Sequence, residues 1–262
     1  MKIYNDMITT RNMVLAVLLA ISGALSSRAA VLLNDNFDSG TNGASLTSPW
    51  SITGTGSVTY SNTTSVSSPL SAHLVNTAAS ATASNLLLAR SLSSAFDISS
   101  GQKLSMSFDV NFSQTNFQGT FQLLGATGLN VLSINFLGDG RVSATNGAST
   151  SFINPVAPSY VANTWYNVSV LLDSSTNTYS FTLVNDATSV TVGTLTSLAV
   201  ANAVNITTFR GFESSKSSAN AGFYLDNVAI TTAVPEPSAF CLTILGLGGL
   251  GFICRARTRL RA

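Results

Sequence analysis

Histidine occurs once in this chain, at His73, and cysteine twice, at Cys241 and Cys254. No cysteine falls between Val31 and Ala233, so the body has neither a disulfide framework nor a set of N and S ligands for zinc. A body of about 200 residues does not need disulfides to hold its core. Glutamate occurs only at Glu213 and Glu236. Jelly-roll glucanases carry two glutamates and an aspartate on one strand, and Glu213 has no acidic neighbour two or four positions away. A glycoside-hydrolysing pair would therefore have to be assembled from aspartates in space. There is no G-x-S-x-G elbow to support a serine nucleophile.

Charge is also scarce, at 9% of residues against roughly 25% in ordinary soluble domains. The formal net charge of +1 hides an uneven distribution. From Val31 to Pro237 there are five basic residues and ten acidic ones, a net of −5. The compensating charge sits at the two ends, in Lys2, Arg11 and Arg28 and in Arg255, Arg257, Arg259 and Arg261. An acidic body argues against nucleic acid as a partner, because phosphate binding needs a basic face.

Both ends read as addresses. Residues 1–29 have the layout of a secretory signal: basic Lys2 and Arg11, an apolar run from Met13 to Leu25, then Ser27 and Ala29 at the −3 and −1 positions of a cleavage site. Cleavage after Ser26 or Ala30 also fits. The run is shorter than the ~20 residues needed to span a bilayer. At the other end, Ser238–Cys254 is uncharged and, as a helix, reaches ~25 Å, a thin span. Arg255 to Arg261 would hold that end in the cytoplasm. Pro235 and Pro237 make the helix start sharply. "GLGGLG" at Gly246–Gly251 matches a dinucleotide-binding pattern in letters only. It lacks the preceding strand and the acidic residue ~20 positions on.

"VPEP" at Val234, Pro235, Glu236 and Pro237, the apolar "LGLGGLGF" and the terminal "RARTRLR" together resemble the PEP-CTERM sorting signal. The resemblance covers Val234 to Arg261. It implies a bacterium with an outer membrane, an exosortase-type membrane protease as partner, and delivery to the cell envelope or extracellular matrix. It further implies exopolysaccharide as a candidate partner. It is silent on what the body does.

The body, 31–233, is dense in period-two alternation. "KLSMSFDVNF" puts Leu104, Met106, Phe108, Val110 and Phe112 on one face and Lys103, Ser105, Ser107, Asp109 and Asn111 on the other. "YNVSVLLD" and "TYSFTLVN" repeat the pattern across a "DSSTN" hairpin loop. Further strands are expected at 31–37, 70–76, 85–92, 118–124, 130–137, 140–145, 188–196, 206–213 and 222–231, with a loop at Ser214–Gly222. Sustained 3.6 periodicity is confined to the termini. The expectation is an all-β chain folded as one antiparallel β-sandwich of jelly-roll type, with a signal helix before it and a transmembrane helix at 238–254 after it.

Asn163–Asn185 also resembles the W-x-x-V…D…L-x-V-N hairpin of concanavalin-like (laminin-G-like) jelly rolls, although Asp186 stands where the pattern has glycine. "NDNFDSG" and "FYLDNVAI" resemble the paired first and last strands of such domains. That resemblance implies a structural calcium clipping those strands, with Asp35, Asp38 and Asp226 as candidate ligands. Otherwise these aspartates cap turns and take backbone hydrogen bonds. Glycan binding would use exposed rings as platforms, with Trp50 and Trp165 foremost and Tyr60, Phe117 and Tyr160 behind them. Trp165 and Tyr166 are adjacent and must face opposite sides of their strand, so only one can be core. His73 reads as a surface or rim residue. No residue is expected to be catalytic, and no cofactor is implied beyond the calcium. The leading function is a structural or adhesive envelope component, and the alternative is a glycan-binding module on exopolysaccharide. A polysaccharide-active enzyme is the remote third.

Overall fold

The computed structural model describes residues 29–67, 69–77, 85–214 and 221–233. The signal segment up to residue 28, the tail 234–262 with its expected membrane helix, and most of the expected Ser214–Gly222 loop lie outside the described residues. Among the described residues, every regular element is a strand and all pairing is antiparallel. One sheet, sheet A, has the order β13 (Val190–Ala199), β12 (Thr178–Asn185), β11 (Trp165–Asp173), β6 (Lys103–Phe112), β15 (Ala221–Ala233), β4 (Ser71–Asn76), β3 (Gly56–Ser61). The strand β1 (Val31–Asp35) pairs with β15 as well. The second sheet, sheet B, runs β10 (Ser149–Phe152), β9 (Val142–Asn146), β8 (Asn130–Phe136), β7 (Gln118–Gly125), β14 (Ile206–Ser214), β5 (Leu86–Phe96), β2 (Ser51–Thr53). The two sheets form a β-sandwich, as the alternation requires.

Twelve strands lie where the alternation places them. The other three, β2, β3 and β10, carry too weak a pattern to be seen in sequence. β2 is three residues long, and β10 is "STSF", with no apolar alternation. β10 exists because a tight turn with Gly147 at φ +60° folds the chain back onto β9, pairing Asn146 with Ser149. β3 buries Val58 but is otherwise Ser-, Thr- and Gly-rich.

The core fills from both inner faces. β6 contributes Leu104, Met106, Phe108, Val110 and Phe112, all fully buried, and β11 adds Tyr166, Val168, Val170 and Leu172. Sheet B answers with Phe121, Leu123, Leu132, Ile134, Phe136 and Phe209. Phe112 is the hub: its ring centroid lies 5.6 Å from Phe117, 4.7 Å from Phe136, 5.2 Å from Tyr160 and 5.7 Å from Phe223. Two glycines make room. A Cβ on Gly119 would stand 2.4 Å from the Phe112 ring, and one on Gly211 would stand 3.2 Å from the Phe121 ring.

The two ends of the body meet. Thr232 donates its N–H to the Ala30 carbonyl (2.9 Å), and Ala30 donates to the Thr232 hydroxyl (2.8 Å). The last strand before the tail is therefore also the middle of sheet A, held by β6, β4 and β1 at once.

Truncating the hub should open a cavity that four neighbouring rings cannot collapse into. Phe112→Ala is expected to lower unfolding free energy by about 3–5 kcal/mol, read from the shift of the denaturant midpoint. A loss under about 1 kcal/mol would show that the aromatic cluster is not the centre of the core.

Candidate functional site

The residues expected to bind calcium are each engaged separately. Asp35 accepts from the Phe37 N–H (2.9 Å) and the Trp50 Nε1–H (2.8 Å), and it is ion-paired to Arg90. A guanidinium thus already neutralises that carboxylate. Asp38 accepts from the Asn36 amide (2.6 Å) and the Leu70 N–H (3.2 Å). Asp226, fully buried, accepts from the N–H groups of Val66 and Ser67 (both 3.0 Å), the Ser67 hydroxyl and the Asn227 N–H. Burial pushes the Asp226 carboxyl above its ordinary range, against the pull of these donors. Among the described residues, no three of His, Cys, Asp and Glu stand together in a way that could hold a metal ion. The turn-capping alternative describes these contacts.

The two tryptophans part company. Trp50 is 5% exposed, stacked on Phe37 at 5.5 Å and edge-on to Phe209, with the Arg90 guanidinium 5.4 Å above it. It is core, not a platform. Phe117 and Tyr160 are also core. Trp165 lies on the outer face of sheet A, while Tyr166 turns inward, as adjacency demands.

On that outer face the register builds a continuous row. Trp165 of β11 stands opposite Asn111 of β6, Asn111 opposite Tyr224 of β15, Tyr224 opposite His73 of β4, and His73 opposite Thr59 of β3. Five adjacent strands thus present five side chains on one line. His73 and Tyr224 stack at 4.0 Å with a 7° interplanar angle, and Tyr224 meets Trp165 at 6.5 Å. Burial pushes the His73 imidazole below its ordinary range, which keeps it neutral. Asn111 is enclosed at 4% exposure, and its Oδ1 has no hydrogen-bond partner among the described residues.

A second row, two residues along, is acidic and amide-rich. Asn167 stands opposite Asp109, and Asp109 opposite Asp226. The bulge after Asp226, with Asn227 at φ +49°, brings the Asn227 amide within 2.7 Å of Asp109, whose other oxygen accepts from Asn167 at 2.6 Å. The segment after β3 lies against this end of the face. Thr64 accepts the Trp165 Nε1–H (2.8 Å), and Val66 and Ser67 cap Asp226.

Asp186, the residue beyond β12, completes the group. Its N–H donates to the Trp165 carbonyl (3.1 Å), and its Oδ2 is buried with no hydrogen-bond partner among the described residues. Burial first, and the neighbouring Asp109 carboxylate second, push the Asp186 carboxyl up to about 6, while the Asn167 N–H pulls it partly back. Among the described residues, Lys103 is the sole lysine or arginine on any strand of sheet A. It lies eight residues along β6 from Asn111, about 26 Å away, and its ammonium stands 3.5 Å from Asp173. Glu213 is fully buried opposite Gly119, between the sheets and away from this face.

Sequence reasoning anticipates Trp165 but not the company it keeps. His73, Asn111, Tyr224 and Asp186 come from four separate strands or strand ends, and only register brings them together. The one usable signal is Asp186 itself, which replaces the glycine of the concanavalin-like hairpin.

Residues 233–257 match the family model of the PEP-CTERM protein-sorting motif. Such a motif marks an exported protein whose tail is anchored in the membrane before an exosortase processes it. No curated protein matches the chain by sequence. Among solved structures, the chain is similar to a sialidase at TM-score 0.55 and 15% identity, over 80% of this chain and 19% of that one. The chain thus spans about a fifth of the sialidase's length. It is similar to an endo-β-1,4-glucuronan lyase from the fungus Trichoderma reesei at TM-score 0.51 and 13% identity, over 74% of this chain and 96% of that one. It is also similar to arcelin-5, a lectin-like defence protein from Phaseolus vulgaris, at TM-score 0.52 and 9% identity, over 80% and 100%. At these identities the likeness establishes the fold, a lectin-like β-sandwich, and nothing further.

The raised Asp186 carboxyl has a consequence for stability. Its folded value of about 6 lies above the ordinary 3.8, so the unfolded chain releases this proton first as pH rises. Stability therefore falls through that window, and the full penalty is present above about pH 6. Asp186→Asn is expected to raise the melting temperature at pH 7.5 by a few degrees and to converge with the parent below pH 4, in paired thermal melts. A lower melting temperature at both pH values would refute the assignment.

Proposed function

We propose that the chain is the precursor of an exported envelope or matrix protein whose β-sandwich adheres to polysaccharide through the outer face of sheet A, without catalysis. The carrying observation is the row Trp165–Asn111–Tyr224–His73, in which three half-buried rings and an enclosed amide line up on the outer face. Sugar rings bind by laying their apolar faces on aromatic surfaces while their hydroxyls meet amides and carboxylates. Asn167 and Asp186 border the row on the side of β11 and β12. The lectin-like fold of arcelin-5 supports the reading at the level of architecture.

In this proposal the chain divides into a signal peptide 1–29, a sandwich 31–233 and a sorting tail 234–262. Val234, Pro235, Glu236 and Pro237 mark the exosortase site. The helix 238–254 holds the precursor in the inner membrane with its body outside, and Arg255, Arg257, Arg259 and Arg261 keep its end in the cytoplasm. Replacing Pro235, Glu236 and Pro237 together by alanine is expected to leave a membrane-held precursor with its tail intact, read by intact mass of membrane and released fractions. A released parent protein that still carries residues beyond Pro237 would refute the sorting proposal.

One observation favours a second reading, a polysaccharide-active enzyme. Asp186 and Asp109 are neighbouring carboxyls with one pushed up toward 6, an arrangement that glycoside hydrolysis exploits. Against it, Asp109 is 4% exposed and both its oxygens are held by amides, which leaves it no approach to a glycosidic carbon. One experiment addresses both. Trp165→Ala is expected to weaken retention on matrix polysaccharide about tenfold, the loss of roughly 1.4 kcal/mol of ring contact. The parent protein is expected to release no new reducing or unsaturated ends from it. Unchanged retention would refute the adhesion reading, and released ends would establish the enzyme.

A further inference from the structure

The same face carries information about which sugar it takes, and the inference rests on the adhesion reading above. Asn111 Oδ1 and Asp186 Oδ2 are both buried acceptors without partners among the described residues, and they flank Trp165 from opposite sides. An unmet buried acceptor is costly, and a ligand recovers that cost only by bringing a hydrogen-bond donor. The neighbouring carboxylates Asp109 and Asp226 already have their donors. The demand on this face is therefore for donors.

Charge points the same way. Asp109 of β6, Asp226 of β15 and Asp186 after β12 place three carboxyls on this face, and Lys103, among the described residues the one lysine or arginine on any strand of sheet A, is paired to Asp173 at the far end of β6. Burial keeps His73 neutral, so it adds no positive charge. A uronate or sulfated sugar brings negative charge and acceptors, which this face repels. An N-acetyl group brings one donor and one acceptor. An ammonium brings three donors, no acceptor and a positive charge, and it is attracted to the faces of Trp165 and Tyr224 as well as to the carboxyls.

We infer that the outer face of sheet A selects amino-sugar polysaccharide with free amines, seating an ammonium at Asp186 with the sugar ring against Trp165. The selected ligand is then a de-N-acetylated hexosamine polymer. Charge attraction of this kind weakens with salt and with protonation of Asp186, whereas ring stacking does neither.

The test uses the full chain in a zwitterionic detergent without a sugar headgroup, and four probes: a glucosamine hexamer, its fully N-acetylated counterpart, a cellohexaose and a hexamer of glucuronate. Titration calorimetry at pH 6.5, where Asp186 is mostly ionised and the sugar amines are mostly protonated, is expected to rank the glucosamine hexamer first, about tenfold or more ahead of the N-acetylated form. The advantage should shrink at pH 5, where Asp186 is protonated while the amines remain charged. Asp186→Asn, which leaves the packing in place, should abolish that advantage while retaining residual binding of all neutral probes, and circular dichroism should show an unchanged sheet. Equal or tighter binding of the N-acetylated, neutral or uronate probe, or an amine preference that survives Asp186→Asn, overturns the ammonium inference and leaves the adhesion reading standing. No binding of any hexamer, with matrix polysaccharide also unretained, overturns both.

Discussion

Phe108 and Phe112 pack inward from β6 against Phe121, Phe136, Phe209 and Phe223, and this contact decides both faces of sheet A. A strand has a side-chain period of two, so a residue held inward commits its neighbours outward. Seating Phe112 in the core turns Asn111 to the outer face of sheet A, and seating Phe108 and Val110 does the same for Asp109. A one-residue slip would drive the asparagine and aspartate between the sheets and turn the rings outward, at a cost of many apolar contacts. The interior thus holds the outer row in register without touching it.

The second organising feature is the position of β15. It is the last strand before the tail, yet it lies between β6 and β4 and also receives β1. The hydrogen bond from Ala30 to Thr232 joins residues 202 apart. Closing so long a loop costs conformational entropy, and sheet A meets that cost by burying Phe223, Leu225, Val228 and Ile230. The site draws on this arrangement directly, since Tyr224 and Asp226 alternate with those buried residues.

The acidic residues of the body divide by how they are satisfied. Asp35 is met by a guanidinium and an indole, Asp226 by backbone and hydroxyl donors, and Asp109 by two amides. Each is a structural solution to the problem of a carboxylate near apolar surface. Asp186 differs because one of its oxygens is left unmet, and its raised carboxyl is the electrostatic trace of that difference. Proteins violate local rules chiefly at functional or strained sites, and Asp186 is such a violation.

Alternation in β6, β11 and β12 announces a two-faced antiparallel sheet from the sequence alone, because a half-buried strand must repeat every two residues. The Pro-Glu-Pro tail is equally legible, since a sorting signal is read as a linear string. Even the opposed facing of Trp165 and Tyr166 follows from adjacency. What the sequence does not contain is register between strands far apart in the chain. Trp165, Asn111, Tyr224 and His73 span about 150 positions, and they form one row only because the aromatic interior aligns β11, β6, β15 and β4. The same packing sent Trp50 into the core and left Trp165 outside, although the two are chemically identical. Local pattern determined that there would be an inner and an outer face. Long-range packing, which depends on shape and on loop closure, decided which outward residues would meet.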